Sequence, residues 1–346
     1  MNFNQKNKDK GLQKMKIPYS PQKEQPPLWR KIQKENFTQT KALLDYLEMG
    51  AEMQKKILSR TPFPLNLPTR LAEKIKKNTL DDPILRQFVP LEEENIAVPG
   101  FVADPLQDLS FCKTKKLLHK YHGRALLITT SACAMHCRFC FRQHFPYETT
   151  LSGFEEEIAY LEKTKSLSEV ILSGGDPLSL STETLEQLFD AFQKISHLHR
   201  IRFHTRFPLG IPERIDAPFL NLLASCKQQI VFIIHCNHPI ELDEDVTRAL
   251  KKIHKQGIPI LNQSVLLKGV NDEEKTLLKL SEALIDAGIL PYYLHQLDPV
   301  AGATHFSLPH QRGLELISYL QKNISGYGVP RLVREEPGQL SKTFIH

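Results

Sequence analysis

From residue 125 onward, short apolar runs alternate six times with longer amphipathic ones. The strand-like runs are 125–130, 169–172, 201–205, 230–236, 259–265 and 291–297. Helical spacing fills the gaps near 154–165, 181–196, 213–226, 243–256 and 272–287. Short apolar strands joined by helices run parallel, so six βα units predict a sheet curled into a barrel or partial barrel. Gly257 and Gly288 close two of the helical stretches, where a residue tolerant of positive φ is favoured. In such folds the chemistry gathers at the C-terminal ends of the strands.

The residues before this rhythm read differently. Residues 1–28 are polar and end in Pro26-Pro27. Helical spacing runs from Trp29 to about Arg60 and is broken by Pro62, Pro64 and Pro68. Shorter helical pieces are expected from Thr69 to Lys77 and from Pro83 to Phe88. The expected layout is a basic arm and helical extension over 1–118, a core barrel over 119–330 and a C-terminal segment over 331–346. The net charge is +6, and residues 1–34 alone hold nine Lys/Arg against two Asp/Glu. That basic excess predicts a solvated arm; the alternative is a contact with RNA or an acidic protein. No aromatic or recognition-helix pattern accompanies the charge, so a nucleic-acid partner is not expected. No apolar run approaches the roughly 18 residues that span a bilayer, and the lysine-rich start lacks a signal peptide's apolar stretch. A cytoplasmic chain without a membrane partner is expected.

Six cysteines occur. Cys112, Cys226 and Cys236 are scattered and read as small apolar side chains of a reducing compartment. Cys133, Cys137 and Cys140 sit on one loop, directly after the first predicted strand. Three thiolates can ligate three irons of a [4Fe–4S] cubane and leave the fourth open to a ligand. A zinc site is the alternative, with His136 or His144 as the fourth ligand. After the second strand comes Ser173-Gly174-Gly175-Asp176-Pro177. Its glycines let backbone approach a ligand closely, although a βα turn of this composition is ordinary in itself.

The C-x3-C-x2-C spacing, set on six βα units, resembles the signature of the radical-SAM superfamily. The resemblance narrows over 120–124, Phe141-Arg142, 235–239, Asn262-Gln263 and 292–298 to the lysine 2,3-aminomutases. It runs from about residue 70 to the C-terminus. It implies a radical-SAM partial (β/α)6 TIM-like barrel with a helical N-terminal extension and a short C-terminal segment. The implied activity is that of an isomerase converting (S)-α-lysine to (R)-β-lysine by a radical 1,2-amino shift. The implied cofactors are a [4Fe–4S] cluster on Cys133, Cys137 and Cys140, S-adenosylmethionine (SAM) and pyridoxal 5′-phosphate (PLP).

Carried over residue by residue, the resemblance assigns SAM to Gly174, Gly175, Asp176, His235 and Gln263. It makes Lys342 the catalytic Schiff-base lysine of PLP, with Arg124, Tyr121 and Lys120 around the PLP phosphate. Arg142 would clamp the substrate α-carboxylate, while Asp298 and Glu335 would grip its ε-ammonium. A flavodoxin- or ferredoxin-type protein would supply the electron, and a homo-oligomer is allowed. Glu335 stands where the family has aspartate, and the sequence ends four residues after Lys342, without the family's oligomerisation zinc cysteines. With the 292–306 segment, these departures resemble the branch whose β-lysine a ligase attaches to elongation factor P. Other readings are an aminomutase of another amino acid, a radical-SAM enzyme without PLP, and a non-enzymatic iron–sulfur or zinc RNA binder.

Overall fold

The computed structural model describes residues 25–147 and 153–346, so most of the expected basic arm lies outside the described residues. Ten strands form one sheet in strict sequence order. They are β1 (Cys112–Thr114), β2 (Leu117–Tyr121), β3 (Arg124–Thr130), β4 (Glu169–Gly174), β5 (Arg200–Thr205), β6 (Gln229–Ile234), β7 (Ile260–Val265), β8 (Leu290–His295), β9 (Arg331–Arg334) and β10 (Thr343–Phe344). Pairing from β3 through β9 is parallel, and short antiparallel strands flank it on both sides. The sheet stays open, as a partial barrel. All six expected strands are present, with ends shifted by two residues or fewer.

The helices between them start and stop where side chains satisfy the free backbone groups of a helix end. Ser181, Asp216 and Asp243 each cap a helix by accepting from the N–H three residues on. Gly257 and Gly288 close helices at φ +76° and +78°. Alternate residues of each strand face inward. Glu169, Ile171 and Ser173 of β4, and Leu261, Gln263 and Val265 of β7, line the barrel's inner cavity. The residues between them, such as Val170, Leu172 and Ile260, are buried in the apolar core.

Two expectations change. The Trp29–Arg60 stretch is three short helices, Leu28–Gln33, Thr40–Tyr46 and Ala51–Gln54. Between the first two, Phe37 forms a bridge with Leu67, and Glu48 turns the chain at φ +53° after the second. Apolar spacing survives such breaks, so periodicity alone does not reveal them. Similarly, the piece beginning at Thr69 ends at Ala72, and Asp82 draws in the Lys76 N–H at 3.1 Å. The second change is β9. Residues 331–346 were expected as a segment outside the barrel, but β9 extends the parallel sheet beside β8 and β10 folds back on it. Arg331–Arg334 carries only two apolar residues between two arginines, too weak a pattern to mark a strand.

The helical extension shares one apolar core with the barrel, from Trp29 to Leu332. It also shapes the cysteine loop. Asn36 donates to the Ala134 carbonyl at 2.7 Å, and Asn66 to that of Cys133 at 3.1 Å. Arg138, 1% exposed, pairs through two nitrogens with Glu94. Among the described residues, no helix is long and apolar enough to cross a membrane. Replacing Arg138 with Met leaves Glu94 buried and unpaired, which is expected to cost about 3–5 kcal/mol. Urea unfolding of the variant beside the parent chain checks this.

Candidate active site

Cys133, Cys137 and Cys140 cluster at the C-terminal end of β3, each near enough to another to feel its charge. Burial pushes all three thiols up, Cys140 to about 11, so a metal must displace protons to bind. Among the described residues, no three His, Cys, Asp or Glu side chains close around a single point as one metal ion needs. A cubane asks for something else: each thiolate takes its own iron. Both candidate zinc histidines are engaged elsewhere. His136 turns Nδ1 to the Pro64 carbonyl at 2.8 Å and stacks on Phe63, and His144 meets the Ala301 carbonyl at 3.2 Å. Neither histidine joins the three thiols in a group placed to hold one metal ion among the described residues.

The Gly174-Gly175-Asp176 turn is tied to its neighbours. Gly174 sits at φ +102°, and a Cβ there would come within 2.7 Å of Ile128. A Cβ on Gly175 would strike the Ala132 carbonyl of the cysteine loop. The Gly175 and Asp176 N–H groups donate to the Thr130 and Ala132 carbonyls at 2.7 and 2.8 Å. The Asp176 carboxylate accepts from the Thr205 hydroxyl and from the N–H groups of Leu178, Arg206 and Phe207. The turn packs closely on the cysteine loop, a contact that the sequence reading, which expected a close approach to a ligand, did not include. None of the three residues lines the cavity.

That cavity, about 590 Å³, runs along the inner face of the sheet. Its wall includes Tyr121, Arg124, Arg142, His235, Gln263, Asp298, Glu335 and Lys342, so eight residues singled out from the sequence meet in one place. Arg124 starts β3, at the opposite end of that strand from the cysteines, and stacks over the Tyr121 ring at 4.4 Å. No described carboxylate pairs with it, whereas nearby Arg202 is paired with Glu169. Past the strand ends, Arg142 donates from Nε to Asp108 Oδ2 at 2.8 Å. Both side chains of this pair are over nine-tenths buried. No described residue takes the Arg142 Nη atoms, which suits a carboxylate ligand.

Glu335, directly after β9, accepts from Lys120 Nζ at 2.9 Å and from Lys342 Nζ at 2.8 Å. Burial alone would raise its pKa, but the two ammonium groups win and hold it well below the carboxylate range. Lys120 thus serves Glu335 and not, as expected, a phosphate. Asp298 behaves oppositely: burial, then the Glu335 charge, push it up to about 7. His204, His235 and His295 face the same cavity, each held neutral chiefly by burial, His235 down to about 3.

Buried polar atoms normally have partners. Tyr121 Oη, Gln263 Nε2, His204 Nε2 and His295 Nε2 have none among the described residues, and all four side chains line this cavity. An orphaned hydroxyl, an unpaired guanidinium and a lysine in one pocket fit a phosphorylated carbonyl cofactor such as PLP. Sequence reasoning missed Asp108, Arg206, His204 and His295. The last three lie at strand ends, a signal that was available. Arg206 donates from Nη1 to Cys137 Sγ at 2.9 Å.

The family model described as "4Fe-4S single cluster domain" matches residues 122–208, which span the cysteine loop. L-lysine 2,3-aminomutase of Escherichia coli (strain K12) is 40% identical over 307 residues, 87% of this chain and 89% of that protein. The Haemophilus influenzae protein of the same name is 38% identical, over 94% of this chain and 98% of that one. The Clostridium subterminale protein is 32% identical, over 91% and 77%. Three clustered thiols at the mouth of a partial βα barrel make this a radical-SAM enzyme. More narrowly, the chain belongs to the lysine 2,3-aminomutase family.

If Gly174-Gly175 shapes the cysteine loop, Gly175→Ala should lose most of its cluster iron while keeping its far-UV circular dichroism. Iron and sulfide analysis after anaerobic reconstitution measures this.

Proposed function

We propose that this protein converts (S)-α-lysine to (R)-β-lysine, using a [4Fe–4S] cluster, SAM and PLP, and that the product serves a ligase acting on elongation factor P. The observation that carries the reading is the single cavity that gathers Arg142, Asp298, Glu335 and Lys342, with Arg142 two residues past Cys140. A diamino acid needs one cationic and two anionic anchors, and this cavity offers that set. When bound, the cluster and SAM supply the initiating radical, and PLP supplies the π-system that carries the migrating nitrogen.

The chain's own residues do the rest. Cys133, Cys137 and Cys140 hold the cluster, while His235 and Gln263 offer polar contacts to SAM. Gly174, Gly175 and Asp176 fix the shape of the loop around it. Lys342 is the amine that engages PLP, with Arg124 and Tyr121 at its phosphate. Asp108 fixes the Arg142 guanidinium so that its Nη edge meets the substrate α-carboxylate. Asp298 and Glu335 face the ε-ammonium. With Lys342 turned from Glu335 to hold PLP, Glu335 would keep Lys120 and have one carboxylate oxygen free to face the substrate's ε-ammonium. Anchoring both ends of lysine fixes which carbon meets the radical, and the enclosed cavity keeps water from it.

A flavodoxin- or ferredoxin-type donor is the proposed electron source. Support for the elongation factor P branch comes from Glu335 and the 292–306 segment. Purified β-lysine as the competent ligase substrate, with α-lysine poorer, would test that step.

Anaerobic incubation with iron, sulfide, PLP, dithionite, SAM and L-lysine should yield β-lysine, resolved from α-lysine by chromatography. Cys140→Ala and Lys342→Ala should abolish it. Cleaved SAM with unchanged lysine in the parent chain would sink the substrate assignment.

The charge at Asp298 gives a second expectation. Its pKa is raised to about 7, so it is protonated below that pH and anionic above it. Apparent affinity for lysine should rise between about pH 6 and about pH 8 and then level off. Asp298→Asn should weaken lysine binding about tenfold or more and flatten the profile. KM measured across that range reads both effects.

A further inference from the structure

Arg206 follows β5 directly and is 7% exposed. Its Nη1 donates to Cys137 Sγ at 2.9 Å. Its Nη2 is held by Gln87 Oε1 and Glu241 Oε2, each at 2.6 Å. The guanidinium lies between the Phe88 and Phe139 rings, 4.7 and 5.5 Å from their centroids. Its backbone N–H is fixed by Asp176 at 2.8 Å. Glu241 is in turn immobile: it is fully buried, and its Oε1 accepts from the Asn237 and His238 N–H groups. The cation therefore has one place to be, and that place is against one sulfur of the three. Among the described residues, no comparable charged donor reaches Cys133 or Cys140.

We propose that Arg206 is a positioning residue for electron entry, raising the reduction potential of the cluster through its hydrogen bond and charge at Cys137. The proposal rests on the cluster assignment of the cysteines. Adding one electron makes a thiolate-ligated cluster one charge more negative, and much of that charge lies on sulfur. A fixed N–H donor and a full positive charge at one sulfur stabilise the reduced state more than the oxidised one. Burial strengthens the effect, because the surroundings screen little. No proton moves, since a guanidinium stays charged throughout. The electron comes from the reductant, and the cluster passes from its 2+ to its 1+ core. Glu241 opposes Arg206: its negative charge on the far side of the guanidinium cancels part of the field at the sulfur.

This opposition provides the test. The full chain and its Arg206→Gln and Glu241→Gln variants are reconstituted anaerobically and compared at equal iron per chain. The 1+ cluster signal is followed by electron paramagnetic resonance during titration with dithionite. At the potential that half-reduces the parent, Arg206→Gln should show a reduced-to-oxidised ratio lower by about tenfold, a midpoint shift of about 59 mV. Glu241→Gln should shift the midpoint the other way. If Arg206→Gln does not fold, Arg206→Lys takes its place. The compact ammonium cannot reach both Glu241 and the sulfur, so its midpoint should also fall. An iron-loaded Arg206 variant with the parent's midpoint overturns the proposal, as does a shift of both variants in one direction. A parent chain that binds no iron overturns the cluster assignment as well. Neither lysine nor PLP enters the experiment, so the result is independent of the substrate reading.

Discussion

Asp176, through its carboxylate and its backbone N–H, joins the loops that follow three successive strands. It accepts from its own turn at Leu178, from the Thr205 hydroxyl at the end of β5, and from the Arg206 and Phe207 N–H groups beyond it. Burial works against its ionised form and raises its pKa, and this set of donors offsets only part of that. The Asp176 N–H reaches the cysteine loop in the other direction. Shift this one group and the position of every thiol, and of Arg206 beside them, shifts with it. The site's geometry is thus a property of loop-to-loop contacts more than of the sheet beneath them.

Along the barrel axis the charges are sorted. Arg124 stands unpaired at one end, Arg142 is steered by Asp108 at the other, and the acids gather with Lys342 past β8 and β9. Three neutral histidines at the C-terminal ends of β5, β6 and β8 line the same cavity. Neutral rings offer hydrogen bonds without repelling either a cationic sulfonium or an anionic phosphate. Two carboxylates at the same end feel each other unequally. Glu335 has two ammonium partners and remains ionised, and its charge then helps to keep the proton on Asp298.

Much of this was legible in the sequence for a simple reason: barrel strands must be apolar on the helix-facing side whatever the function. The six runs from 125 to 297 therefore declared themselves; the cysteines stood out by their spacing and His235 and Asp298 through the family resemblance, and all of them satisfy the rule that chemistry gathers near strand ends. Arg206 obeys the same rule, but its Cys137 contact depends on a loop 69 residues away. Asp108 carried no local signal, because it lies in a short 3-10 turn of the extension. The partners of Glu335 were out of reach for a similar reason, since Lys120 lies 215 residues away in sequence. Gly174 and Gly175 stood out as glycines able to admit a ligand, while their packing on the cysteine loop needed coordinates.

The hairpin of β9 and β10 carries both Glu335 and Lys342, seven residues apart and facing each other across its turn. Their mutual distance is set by that turn alone, whereas the cysteines depend on β3, β4, β5 and the helical extension. The two ends of the cavity are therefore separately adjustable. On the proposed reading, a change in the hairpin's loop, around Gly338 at φ +81°, would alter the Glu335–Lys342 pair, and with it the amine accepted, without touching the cysteine loop. Such a layout lets one radical-generating barrel be passed between substrates by replacing a short exchangeable cassette.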